Sequence, residues 1–77
     1  MTDKNAPPAP APPVITGNIR AEMARAGMSV QRAQNIVNVS PGTWETRMKT
    51  PGTWRMNELE RLAAALGVSV ARLVVGE

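Results

Sequence analysis

The chain contains no cysteine and no histidine, and its two tryptophans are its only aromatic residues. Without cysteine, neither a disulfide nor a thiolate zinc site can form, which fits an intracellular protein. Without histidine, the chain lacks the commonest general base and the commonest metal ligand. Its glutamates show no spacing typical of a buried catalytic dyad. We therefore expect a protein that is not an enzyme and that holds neither a metal nor a cofactor.

Long apolar runs are also missing. None reaches the length that spans a membrane, and the N-terminus has no signal-peptide core, so we expect no membrane partner. The net charge is +3. A basic balance fits a nucleic-acid partner, although many small domains are mildly basic as well.

Residues 1–13, MTDKNAPPAPAPP, are rich in proline and alanine and include five of the seven prolines. This segment has no aromatic or β-branched apolar residue to bury, so we expect a disordered arm. It would serve either as a proline-rich ligand or as a solubilising arm. Residues 14–77 would then form one domain.

From residue 14 onward, apolar residues recur at spacings of three and four, which predicts helices. Serine or threonine stands where four of the helices are expected to begin, at Thr16, Ser29, Ser40 and Ser69. Gly27 and Gly67 are the expected stops of the first and fourth helices. The residues expected to face inward on the first, second and fourth helices are Ile19, Met23, Ala26, Val30, Ala33, Ile36, Val37, Met56, Leu59, Leu62, Ala63 and Leu66. The pattern predicts an all-α fold, a compact bundle of five short helices.

The tetrapeptide PGTW occurs twice, at 41–44 and 51–54, and contains both tryptophans. The first copy follows Ser40, so its proline suits the first position of a third helix. That helix should end near Lys49, because the next residue precedes a proline and disfavours helical backbone. Trp44 would face the core. We expect the second copy to be a turn followed by a core tryptophan, so the two copies are not matching modules.

The outward face of the predicted third helix carries small or polar residues: Gly42, Thr43, Thr46, Lys49 and Thr50. Glycine and threonine are poor helix formers, so helix propensity is sacrificed along this face. A close approach to another surface would be one reason, since the major groove of DNA admits a helix whose N-terminal residues meet base edges. An ordinary exposed face is the alternative.

The stretch GMSVQRAQNIVNVSPGTWETRMKTPGTWRMNELERLAAALGVSVARL, preceded by NIRAEMARA, resembles the phage repressor/Cro-type (lambda-repressor-like) helix-turn-helix family. The resemblance covers about residues 18–74. It implies that 30–37 and 41–49 are the helix-turn-helix pair, the latter being the recognition helix. It further implies a sequence-specific DNA-binding transcriptional regulator of phage or prophage origin, acting in the bacterial host cytoplasm.

The same resemblance assigns the DNA contacts. Ser40 takes the capping position where a hydroxyl meets a phosphate, and Gly42, Thr43 and Thr46 take positions that meet bases. Lys49 and the loop through residue 53 lie where phosphates are held. Together with nearby basic and capping residues, the predicted DNA-binding set is Ser29, Arg32, Ser40, Gly42, Thr43, Thr46, Arg47, Lys49, Thr50, Thr53 and Arg55.

The chain departs from the family at several positions. Val30 stands where a phosphate-binding glutamine is common, Gln34 where a small residue is usual, and Asn38 where the turn usually has glycine. Met23 and Met48 replace a buried Arg–Glu pair, and we expect these two methionines to touch, since apolar replacement of such a pair is often neutral or stabilising.

A monomer of this size covers few base pairs, so we expect a homodimer on an operator with two half-sites. Val74 and Val75 would supply either core packing or the two-fold contact. Glu58, Glu60 and Arg61 are expected to form a solvated face, with Glu58 and Arg61 paired.

The alternative function is a protein-binding adaptor, resembling an anti-repressor or an antitoxin, on the same fold. In that hypothesis the third helix, with Trp44 or Trp54 partly exposed, would meet another protein.

Overall fold

A computed structural model of the chain describes residues 14–76, and this part contains five α-helices and no strand. In chain order the helices are α1 (Val14–Ala26), α2 (Val30–Val37), α3 (Pro41–Lys49), α4 (Met56–Leu66) and α5 (Val70–Val75). A short 3-10 turn, Pro51–Thr53, lies between α3 and α4. The predicted all-α bundle of five short helices is confirmed. The arm predicted for residues 1–13 lies outside the described residues.

Serine side chains begin three of the helices as predicted. The hydroxyls of Ser29, Ser40 and Ser69 each accept a hydrogen bond from the backbone N–H three residues later. Thr16, by contrast, does not cap α1, because that helix already includes residues before it. Instead Thr16 is buried, and its Oγ1 donates to the backbone carbonyl of Met48, 2.6 Å away. It therefore ties α1 to the C-terminal end of α3.

Four of the helices in residues 14–76 end on a residue with left-handed backbone. Gly27, Asn38, Gly67 and Gly76 have φ values of 66°, 66°, 75° and 82°. Asparagine is one of the few residues that adopts this conformation at little cost. Asn38 therefore serves in the turn between α2 and α3, as the sequence predicts, and lets two short helices follow one another closely.

The core contains eleven buried apolar residues: Ile19, Met23, Ala33, Val37, Trp44, Met48, Trp54, Leu59, Leu62, Ala63 and Leu73. The inward positions predicted for Ala26, Val30 and Met56 are wrong, because all three side chains are exposed. Each lies at the first or last residue of its helix.

The two tryptophans pack edge to face at one end of this core, with ring centroids 5.6 Å apart and an interplanar angle of 87°. Such pairs contribute about 0.5–1.5 kcal/mol beyond the area they bury. The predicted difference between the PGTW copies is confirmed: the first begins α3, whereas the second forms the 3-10 turn before Trp54. Among the described helices, none is both long enough and apolar enough to cross a membrane.

Candidate nucleic-acid interface

The inner side chains of α3 determine which of its faces points outward. Trp44 and Met48 are buried in the core, one helical turn apart. Gly42, Thr46 and Lys49 are consequently exposed on the opposite side. The predicted phase of this helix is confirmed, and its outer face is open to solvent.

Hydroxyl groups along this face bond to one another and to the helix backbone. Ser40 Oγ accepts from the backbone N–H of Thr43 at 3.2 Å and donates to Thr43 Oγ1 at 3.1 Å. Thr46 Oγ1 donates to the carbonyl oxygen of Gly42 at 3.1 Å. Threonine back-bonding of this kind restricts the χ1 angle, so these side chains present defined groups to a partner.

Gly42 is not explained by the packing or the backbone of the part of the chain described. A Cβ placed on it would meet no heavy atom within 4 Å, and its φ is not in the left-handed region. Alanine would therefore fit and would favour the helix by about 0.5–1 kcal/mol. The helix backbone is therefore open to solvent at Gly42, as it is at Gly17 in α1.

Two predicted phosphate-binding residues flank the C-terminal end of α3. Lys49 and Arg55 are exposed, and neither side chain makes an ion pair within residues 14–76. The loop between them contains Thr50 and Thr53, joined by a hydrogen bond of 2.7 Å from Thr53 Oγ1 to the Thr50 carbonyl. The end of α3 and this loop thus present two unpaired positive charges on one continuous stretch of chain.

Arg47 lies in a different environment from these cations. Its Nε donates to Glu58 Oε1 at 2.9 Å and its Nη2 donates to Glu58 Oε2 at 3.2 Å. The arginine side chain is 14% exposed and the glutamate side chain 8%. Before it could bind a phosphate, the guanidinium would have to leave this two-pronged contact, so its position fits a clamp between α3 and α4.

The solvated face predicted around Glu58, and its pairing with Arg61, are therefore wrong. Glu58 is the third residue of α4, where a carboxylate can reach back to the start of its own helix. Its carboxylate accepts a hydrogen bond from the backbone N–H of Arg55 at 2.9 Å, in addition to those from the Arg47 guanidinium. Arg61 instead reaches the backbone carbonyl of Val37, at 3.4 Å. Glu60 and Arg61 are both exposed as predicted.

Burial raises the pKa of the Glu58 carboxyl, but opposing effects outweigh it. The hydrogen bonds from the Arg47 side chain and the Arg55 backbone, together with both positive charges, hold this pKa below its ordinary value of 4.5. The carboxylate is therefore ionised at neutral pH, as a charge-assisted contact with arginine requires.

The structure does not bring the whole predicted set together. Ser29 and Arg32 are exposed on α2, where they border a shallow depression with Gln31, Asn35 and Ile36 and with no residue of α3. The side of α2 that meets α3 carries Val30 and Gln34. Arg32 thus points along a different face from the outer face of α3.

An apolar groove of about 470 Å³ lies between α1, the start of α2 and α3. It is lined by the apolar side chains of Met23, Met28, Val30, Trp44 and Met48 and by the charged residues Arg20, Glu45 and Lys49. The two methionines that replace the family's ion pair are both buried and both line this groove. Their direct contact stays a prediction.

Comparison with known proteins identifies no relative: no family model matches the chain, and neither a curated protein nor a solved structure matches it significantly.

Proposed function

We propose that this protein is a sequence-specific DNA-binding transcriptional regulator, with α2 and α3 as a helix-turn-helix and α3 lying in the major groove. The observation that carries the proposal is the construction of α3. One face is held in the core by Trp44 and Met48, while the other is exposed and lined by small polar residues. The resemblance to Cro-type regulators supports this proposal, as does the exposed Gly42, where a side chain would fit and favour the helix.

The dimensions of α3 suit such a contact. The helix has nine residues and a serine-capped N-terminus. Helix-turn-helix proteins direct the first residues of the recognition helix at base edges in the major groove. Gly42, Thr43 and Thr46 occupy those turns, and none of them carries a long side chain that would keep the helix backbone away from the bases.

The C-terminal end of α3 and the loop after it would bind the DNA phosphates. Lys49 and Arg55 supply positive charge there, with Thr50 and Thr53 between them as hydroxyl donors or acceptors. So few cations give modest affinity to one copy, which supports a homodimer on two half-sites. Leu73 belongs to the core, whereas Val75 is 56% exposed and remains available for a two-fold contact. A phage or prophage origin and a place in the host cytoplasm follow from the family resemblance as part of the proposal.

Selection of bound sequences from a random duplex pool tests the function directly. A regulator of this type should enrich one motif, and a homodimer should enrich a palindrome with half-sites one helical turn or a multiple apart. Fluorescence anisotropy on the enriched duplex should then show affinity that falls steeply with salt. Failure to enrich any motif, together with no duplex binding at low salt, would rule out the proposal.

The apolar groove supports a second candidate, a protein-binding adaptor. The version in which a partner meets an exposed tryptophan is wrong, because Trp44 and Trp54 are 5% and 8% exposed. A partner would instead insert an apolar side chain between Met28 and Val30, at the mouth of the groove beside α3. A chain that binds no duplex at low salt, yet loses a protein partner on Val30→Glu, would favour this candidate over DNA binding.

A further inference from the structure

The hydroxyl proton of Thr46 is already engaged within α3. Oγ1 donates to the carbonyl oxygen of Gly42, 3.1 Å away and one turn earlier in the helix. A threonine hydroxyl has one proton and two acceptor lone pairs. The side chain is exposed. Thr46 therefore offers a partner a methyl group and an acceptor oxygen, but no donor.

Thr43 offers the opposite combination one turn closer to the N-terminus. Its Oγ1 accepts a hydrogen bond from Ser40 Oγ at 3.1 Å, so its own proton remains available for donation. It is also less accessible than Thr46, being half-buried. The two threonines on the outer face are therefore not equivalent readers: of the two, only Thr46 is exposed and has its hydroxyl proton engaged within the helix.

The four base pairs differ in how well they match a methyl group beside an acceptor. In the major groove an A·T pair presents the thymine 5-methyl group and the N6 amino donor of adenine. A G·C pair presents the N4 amino donor of cytosine but no methyl group, and its guanine presents only acceptors. Of the unmodified pairs, A·T alone supplies both an apolar contact and a donor.

We propose that Thr46 is a specificity-determining residue that recognises an A·T base pair. Its γ-methyl packs against the thymine 5-methyl group, and its Oγ1 accepts from the adenine N6 amino group while it keeps its bond to Gly42. This inference rests on the proposed function, since it requires α3 to lie in the major groove. It adds which base pair is read at that point and by which atoms.

Deoxyuridine provides the test, because it removes the 5-methyl group of thymine and leaves base pairing unchanged. Each thymine of the enriched duplex is replaced in turn, and affinity is measured by fluorescence anisotropy. For wild type we expect one thymine in each half-site where replacement weakens binding roughly fourfold, the effect of one buried methyl-sized group. The thermal midpoint of every variant is recorded, so that a folding defect is distinguished from a binding defect.

Two variants test whether Thr46 causes the loss of affinity on deoxyuridine replacement. Thr46→Ser keeps the hydroxyl and removes the methyl, so it should bind thymine and deoxyuridine equally at that position. Thr46→Val keeps a methyl and removes the hydroxyl, so it should retain the roughly fourfold preference for thymine. It should also bind the unmodified duplex more weakly than wild type, because the acceptor for adenine is gone.

The outcomes separate this inference from the function beneath it. If wild type enriches and binds a duplex but tolerates deoxyuridine everywhere, the inference is overturned and the proposed function stands. Equal sensitivity of wild type and Thr46→Ser at the same thymine also overturns it, because another residue then contacts that methyl group. A chain that enriches no duplex overturns both.

Discussion

Two basic residues of α3 that are only two positions apart lie in different environments. Arg47, on the inner side, is held by Glu58 and is 14% exposed. Lys49 is exposed and makes no ion pair within the described residues. Both are basic and both belong to the set that the sequence predicts to bind DNA. The difference shows that positive charge on α3 is available to a partner only where no carboxylate of the same domain has already bound it.

If this division is correct, substitutions on the inner face lower the stability of the fold, and substitutions on the outer face change DNA binding at nearly constant stability. This division between the two faces would be contradicted by an inner substitution that leaves stability unchanged, or by an outer substitution that unfolds the domain.

The largest expected effect is that of Trp44→Ala. Trp44 is 5% exposed and packs against Trp54. Truncating a buried tryptophan lowers the free energy of unfolding by about 3–5 kcal/mol. Urea denaturation followed by circular dichroism measures the change. The matched control on the outer face is Thr46→Ala, which should leave the unfolding midpoint near that of wild type. If Trp44→Ala left the free energy of unfolding almost unchanged, the indole would have to lie outside the core.

Glu58→Gln should have the second-largest effect on the free energy of unfolding. The variant removes the ion pair with Arg47 and weakens the cap on the Arg55 N–H, which should lower the free energy of unfolding by roughly 1.5–3 kcal/mol. Glu60→Gln, an exposed neighbour on the same helix, should change it by no more than about 0.5 kcal/mol. Equal effects of the two variants would show that the clamp between α3 and α4 does not stabilise the domain.

The stabilisation from Glu58 should also depend on pH. Its pKa in the folded state lies below the ordinary value of 4.5. The contribution is therefore fully present above pH 4.5 and is lost as the pH falls through the folded pKa. The difference in unfolding free energy between wild type and Glu58→Gln should shrink as the pH is lowered below 4.5. A difference that stays constant or grows at low pH would contradict the ionised pair.

Lys49→Ala tests the outer face through electrostatics. Loss of one phosphate contact should flatten the slope of log affinity against log salt by about 0.9 for each bound subunit and leave the thermal midpoint nearly unchanged. Arg72→Ala removes a charge of the same sign from α5, where the arginine lies 3.8 Å from the buried Glu22 carboxylate rather than on the face of α3. That variant should leave the slope unaltered. Equal slopes for wild type and Lys49→Ala would remove Lys49 from the interface.

Gly42→Ala should change stability and DNA binding in opposite directions, both by small amounts. The domain has room for the methyl group, so the variant should be more stable by about 0.5–1 kcal/mol. DNA binding should nonetheless weaken, because the methyl group would hold the helix away from the bases. Gly17→Ala, another open helical position in α1, should gain stability without losing affinity. Unchanged DNA binding by Gly42→Ala would show that no close approach occurs there.

Local signals made much of this fold predictable. A serine followed by a helical apolar pattern identifies the start of α2, α3 and α5, since the capping hydroxyl and the N–H it accepts are three residues apart. The phase of α3 follows similarly from Trp44 and Met48, which are one turn apart. These features depend on residues close in sequence, which is why the sequence predicts them.

Features that join distant segments were not predictable in the same way. The Arg47–Glu58 pair connects two helices, and its formation depends on how α3 packs beside α4. The position of Glu58 as third residue of α4 signals a local cap, which was the one available clue. The role of Thr16 is of this kind too: no local pattern marks its bond to the Met48 carbonyl, which spans more than thirty residues.

Amide chemical shifts recorded while duplex DNA is added test most directly whether the outer face of α3 binds DNA. With the enriched duplex, the largest changes should fall on Gly42, Thr43, Thr46 and Lys49, and smaller ones on the loop through Arg55. If the largest changes instead fell on α5, or on the groove around Met28 while the outer face of α3 stayed unperturbed, the proposed DNA interface would be wrong.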